Sequence, residues 1–130
     1  MRYLGIDYGT KRVGIALSDA TGVMAFPKTV LQNDESFLTE LSELLSAYEV
    51  AVIVVGHSLD QNSIPNTVQS EIDTLVTDLT IQFGLPVHLE PEQFTTQQAL
   101  RIQGRNDQTD ASAAALILDG FLQRNKKQDK

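Results

Sequence analysis

Three acids in this 130-residue chain, Asp7, Glu92 and Asp110, stand where carboxylates can do chemistry. Asp7 closes an apolar run that reads as buried strand, Glu92 lies just past a short apolar segment at 85–90, and Asp110 opens an alanine- and leucine-rich stretch. Each has an ordinary explanation. Asp7 with Gly9 suits a hairpin turn. Glu92 suits a solvated surface ahead of a helix, and Asp110, or Asp107 before it, suits the positive end of a helix dipole. Taken singly, the ordinary explanations win. Brought together from distant parts of the chain, three carboxylates would raise one another's pKa values unless a cation held them. Oxygen donors without a Cys or a paired His select hard ions such as Mg²⁺ or Mn²⁺. An ion held in that way, with open coordination positions, suits phosphodiester hydrolysis.

The basic residues fit the same chemistry. Lys11 and Arg12 follow Asp7, and Arg101 and Arg105 fall between Glu92 and Asp110, so the four are candidates to receive a nucleic-acid backbone. The net charge of −7 argues against such a partner, but its distribution does not. All ten Lys and Arg lie in residues 1–28 or 101–130, while residues 29–100 hold none and carry 11 of the 17 acids. If the two ends meet, one face is basic on an acidic molecule. The charges read equally well as a solvated acidic face and a basic tail. His57, in a loop after an apolar strand, is a candidate proton shuttle. His88 reads as a packed or edge histidine, and neither has a second His near it, so a His-based metal site has no support.

Apolar residues make up 42% of the chain, enough for a real core, and no cysteine is present for disulfides or thiolate metal sites. No apolar run approaches the roughly 20 residues a membrane span needs, and the first residues read as strand rather than leader. The expectation is a cytoplasmic protein without a membrane partner.

The elements that must position these residues follow from periodicity. Strands are expected at 3–7, 12–18 and 24–31, with Pro27 marking an edge or bulge in the third. Asn33 or Asp34 would cap a helix whose apolar residues run from Phe37 to Tyr48 at helical spacing. "EVAVIVVG", 49–56, is an almost unbroken β-branched run, the mark of a strand buried on both faces. A helix from Pro65 to Gly84, a fifth strand at 85–90, a helix from a Thr95–Gln98 capping box to about Gln103 and a last helix at 110–123 complete the order. This predicts one α/β domain over 1–125, a five-stranded mixed sheet with its first three strands antiparallel and helices on both faces, followed by a basic tail at 126–130. Ligands gather where neighbouring strands of such a sheet end.

"GIDYGTKRVGIALSD", residues 5–19, closely resembles the opening signature of the YqgF, or RuvX-like, family of Holliday-junction resolvases and pre-16S rRNA nucleases, which have the ribonuclease-H fold. "TDASAAALILDGFL" matches that family's closing helix, "IVVG" its central strand, and "PEQFTT" falls where the family has its Asp-Glu-Arg-x-Thr-Thr run. The match spans nearly the whole chain. It implies that Asp7, Glu92 and Asp110 are the Mg²⁺- or Mn²⁺-binding triad of a nuclease; Asp107 is the reserve ligand should the last helix begin earlier than Asp110. Pro91 and Gln93 replace the Asp and Arg that usually flank the family's Glu, "GHSLDQNS" replaces a Gly-x-Pro loop, and the 93–109 segment is short.

Three readings follow. The first is a nuclease acting on pre-rRNA, or alternatively on branched DNA; the latter requires a dimer, and no apolar stripe announces one, so a monomer or weak homodimer is expected. The second is an actin-like sugar kinase or ATPase, whose Gly-x-Asp-x-Gly-Thr turn is similar but which needs two such domains. The third is a nucleic-acid-binding or ribosome-biogenesis module that kept the fold and lost the chemistry, favoured by Pro91, Gln93 and the short segment.

Overall fold

The computed structural model describes residues 1–9, 11–56, 66–90 and 107–128, with the backbone alone at 66–69, 107–112 and 124–128. Five strands, β1 (Arg2–Asp7), β2 (Arg12–Ser18), β3 (Ala25–Gln32), β4 (Val50–Gly56) and β5 (Val87–Leu89), form one sheet in the order β3-β2-β1-β4-β5. β1 is therefore the central strand. It pairs antiparallel with β2 and parallel with β4, β2 pairs antiparallel with β3, and β4 pairs parallel with β5.

Local chemistry explains the meander. Asn33 donates its side-chain amide to the Gly9 carbonyl at 2.8 Å, and its backbone amide to the Lys11 carbonyl at 2.9 Å, so the β1–β2 turn is held from the end of β3. A methyl group at Gly9 would lie 2.3 Å from the Arg12 carbonyl oxygen, so only glycine closes the turn this tightly. On β3, Ile15 faces Thr29 but Ala16 faces Pro27, leaving Lys28 as the extra residue of a bulge. Pro27 is exposed on the edge strand β3 and sits beside the bulge, the places in a sheet where a residue without an N–H is tolerated.

Alternation divides the core in two. Leu4 and Ile6 of β1, with Val13, Ile15, Ile53 and Val55, face two helices, α1 (Phe37–Ala47) and α2 (Asn66–Phe83). Phe37, Leu41 and Leu45 of α1 and Ile72, Leu75 and Leu79 of α2 supply the opposing surface at helical spacing. Ala16 and Val54 face the other way, against Ala114, Ile117, Leu118 and Leu122 of a third helix, α3 (Asp107–Gln128). Helices thus cover both faces, and no described helix is long and apolar enough to cross a membrane.

Three expectations are corrected. Neither Asn33 nor Asp34 occupies the N-cap of α1; that place is taken by Ser36, whose side chain makes no capping bond. Asp34 instead accepts the Ser36 amide at 2.9 Å and its hydroxyl at 2.7 Å, a local turn that competes with capping, and these bonds hold the Asp34 carboxyl below its ordinary value. The last helix begins at Asp107 rather than Asp110 and continues to Gln128, so residues 126–128 are helix and not tail. The fifth strand is only three residues long. The helix expected at about 95–103 lies outside the described residues, as does Pro65.

The β2–β3 connection is tied by Asp19. Its carboxylate accepts the Thr21 hydroxyl and the amides of Val23 (2.8 Å) and Met24 (3.1 Å), and these bonds lower its pKa to about 2. A carboxylate depressed in the folded state stabilises above its unfolded pKa and loses that contribution as pH falls through the folded one. The expected result is that Asp19→Asn lowers the urea midpoint at pH 7, and that the gap to the parent closes between pH 4 and 2. Unfolding curves at stepped pH check it, and a gap that stays constant would refute the role given to the charge.

Candidate active site

Asp7 is the last residue of the central strand and is only 8% exposed. Its backbone sits between Gly14 of β2 and Gly56 of β4, and the next residue continues the pairing through a 2.9 Å bond from the Tyr8 amide to the Gly56 carbonyl. Side chains alternate along a strand. Gly5 faces α3, so Asp7, two residues on, faces the same side, while Tyr8 packs with the α1–α2 core.

Helix α3 approaches this face closely because glycines leave room. A methyl at Gly5 would lie 2.8 Å from Leu118 Cβ and 3.2 Å from the Ala114 carbonyl oxygen; one at Gly56 would lie 2.8 Å from Ile117 Cγ2. Lower on β1, the Tyr3 ring meets Phe121 at 5.9 Å between centroids. Climbing β1 from Tyr3 to Gly5 thus means descending α3 from Phe121 towards Ala114. Asp110 lies on the α3 backbone one turn before Ala114, and Asp107 is the helix's first residue.

A second buried carboxylate, missed in the sequence, shares this face. Glu90 is 6% exposed and follows β5 directly, its amide bonded to the Val55 carbonyl at 2.8 Å. Because Val55 pairs with Leu89, Glu90 stands beside Gly56, and Asp7, Gly56 and Glu90 form one row, its outer members about 10 Å apart at two strand spacings. The Glu90 carboxylate lies 3.7 Å from where a methyl at Gly120 of α3 would be. Glu90 has the same parity as His88. That ring, exposed on an edge strand as expected, also turns to this face and stacks on Phe121 at 5.1 Å.

Lys11, exposed in the β1–β2 turn, and Arg12, half-buried at the start of β2, lie at the same edge of the sheet as Asp7. Glu92, Arg101, Arg105 and His57 lie outside the described residues, as do the side chains of Asp107 and Asp110. Among the described residues, no three His, Cys, Asp or Glu converge to hold a metal ion.

Residues 1–124 match the family model described as "RuvX: Holliday junction resolvase". This chain belongs to the RuvX family. Similar RuvX relatives carry the name "Putative pre-16S rRNA nuclease": a protein of Oleidesulfovibrio alaskensis is 34% identical, with 94% of this chain and 92% of that one covered. Another, of Streptococcus pyogenes serotype M2, is 35% identical over 96% of this chain and 99% of its own. The RuvX chain also shares the fold of RuvC of T. thermophilus in complex with Holliday junction substrate, at a TM-score of 0.63, 15% identity and 97% and 96% coverage. The Fowlpox virus resolvase bound to Holliday junction DNA follows at 0.54 and 12% identity, covering 96% of this chain and 99% of its own. Both likenesses support the ribonuclease-H-like sheet.

Proposed function

We propose that the chain is a metal-dependent nuclease that hydrolyses phosphodiester bonds in structured RNA, with the 5′ end of pre-16S rRNA as its substrate. The observation that carries this reading is Asp7, a buried carboxylate at the carboxyl end of the central strand, facing the helix that bears Asp110. The antiparallel run of α3 over β1 supports a meeting of Asp7 and Asp110 at the next turn. Glu92, two residues beyond Glu90, completes the proposed ligand set, with Asp107 as the alternative to Asp110.

The donor chemistry fits a hard ion. The set offers carboxylate oxygens only, the chain has no cysteine, and His88 is stacked on Phe121. When bound, Mg²⁺ or Mn²⁺ would supply Lewis-acid stabilisation of the phosphoryl oxygens and an activated water. The chain's own residues hold the geometry. Asp7 is fixed by strand pairing on both sides, and Lys11 and Arg12 at the same edge receive the backbone phosphates, joined in this proposal by Arg101 and Arg105. The relatives' shared name favours RNA over a four-way DNA junction, whose symmetric cleavage requires a dimer.

The test incubates the chain with a structured RNA and with a DNA junction, each with Mg²⁺, Mn²⁺ or EDTA. Metal-dependent cutting of RNA supports the reading. Cutting of the junction alone selects resolvase activity, and binding without cleavage under any metal selects a module that lost its chemistry. In the same assay Lys11→Ala is expected to weaken binding at every sequence. It should reduce the slope of log affinity against log salt by about 0.7–0.9, one phosphate contact. An unchanged slope would remove Lys11 from the interface.

A further inference from the structure

We infer, on the nuclease reading above, that Tyr8 is a positioning residue for the proposed metal ligand Asp7. Its hydroxyl, anchored on Glu71 of α2, fixes the direction of the Asp7 carboxylate from the opposite face of the sheet. Asp7 ends the ladder. Its pairing partners are Gly14 on β2 and Gly56 on β4, so the residues directly beside it fix its backbone and put no side chain next to its carboxylate. Tyr8 is the next residue and still donates its amide to the Gly56 carbonyl at 2.9 Å. Its ring packs with the α1–α2 core, and its hydroxyl donates to Glu71 Oε1 at 2.6 Å, across 63 residues of sequence. Glu71 stands on a firm support, because the next residue of α2, Ile72, is wholly buried in that core.

Strand geometry turns this bond into control of Asp7. Successive side chains leave a strand on opposite faces, so a twist of the strand end about its own axis swings Tyr8 and Asp7 together, in opposite directions. The tyrosine hydroxyl lies farther from that axis than the carboxylate does, so a hydroxyl held in place restricts the carboxylate to a still smaller swing. The same bond is not needed to close the hairpin. Asn33 ties the turn separately, through the Gly9 and Lys11 carbonyls, and β1 is paired on both sides up to Asp7. What remains for Tyr8 to set is the rotation of the strand end. A metal cradle tolerates little error in the direction of a ligand, and groups behind the ligands commonly set it.

The experiment combines metal binding and cleavage on the full chain. Mn²⁺ is titrated calorimetrically, without RNA, into the parent, Tyr8→Phe, Glu71→Ala, Glu71→Gln and the double variant Tyr8→Phe with Glu71→Ala. The same preparations give kcat and KM for a structured RNA and Tm in EDTA. Tyr8→Phe and Glu71→Ala should each weaken Mn²⁺ binding and lower kcat by about fivefold, the scale of one net hydrogen bond, with KM for RNA unchanged. The double variant should be no worse than either single one, because both remove the same bond. Glu71→Gln keeps an oxygen acceptor and should recover most of the loss. Mn²⁺ affinity and kcat that stay at parental values, with or without a fall in Tm, would make the bond structural only and overturn the role, as would additive losses in the double variant. A parent that neither binds Mn²⁺ nor cuts would instead remove the nuclease reading itself, and the role with it, before any variant is compared.

Discussion

Replacing Asp7 with Asn is expected to cut the rate of RNA cleavage by at least about 100-fold while leaving RNA binding intact. The substitution keeps shape and removes one charge from the proposed metal cradle. Lewis-acid stabilisation contributes several kcal/mol to such reactions, and each ~1.4 kcal/mol is a factor of ten in rate. In the proposed ligand set three carboxylates converge, and without a cation their like charges repel, which the substitution relieves. In EDTA the variant should therefore melt no lower than the parent. Added Mg²⁺ should raise the parent's Tm and not the variant's, because a ligand stabilises only the state that binds it. Cleavage and melting on the same preparations decide the matter. A variant that cuts as fast as its parent ends the enzymatic reading of Asp7.

Gly5→Ala carries the largest expected cost in stability, about 1–3 kcal/mol, the usual range for overpacking a tight interior. The added methyl meets Leu118 Cβ at 2.8 Å and the Ala114 carbonyl oxygen at 3.2 Å, atoms that move only if α3 moves. Gly56→Ala makes an equally short contact, but its first neighbours are the Cγ2 and Cδ1 methyls of Ile117, which can swing aside. Its cost should be smaller. Cleavage should fall with Gly5→Ala by more than the unfolded fraction explains, since the displaced helix carries Asp110. Urea unfolding of both variants tests the order, and a Gly56 variant less stable than the Gly5 one would show that α3 yields more easily than its side chains.

The central strands were legible because their burial is written in composition. The β-branched run 50–56 can only be a strand covered on both faces, and Pro27 announced both the edge position and the bulge beside it. Helix ends were less legible, since they depend on where side-chain oxygens turn. Asn33 looks like a cap but spends its amide groups on Gly9 and Lys11, and Asp34 closes a turn with Ser36. The start of α3 was placed three residues late because Asp107 and Asp110 are equally good openings for a helix. Glu90 was missed for a different reason. A three-residue strand has too short an alternation to reveal its inward side, and only its place beside Gly56, a tertiary fact, shows a buried acid. Asp7 was readable because an acid ending an apolar strand is an exception to local preference that the fold must accommodate.

The packing of α3 on β1 also sets a timetable. Gly5 and Leu118 touch across more than a hundred residues of sequence. The β1–β2–β3 meander and its turn involve only the first 33 residues and can assemble early during synthesis, when short-range contacts close fastest. The face bearing Asp7 gains its cover only once the helix through Leu122 has been made. A nascent chain therefore carries the central carboxylate long before it carries the helix that encloses it. The order of synthesis is thus the reverse of the order of enclosure: the strand that bears the acid comes first, and the helix that packs over its face comes more than a hundred residues later.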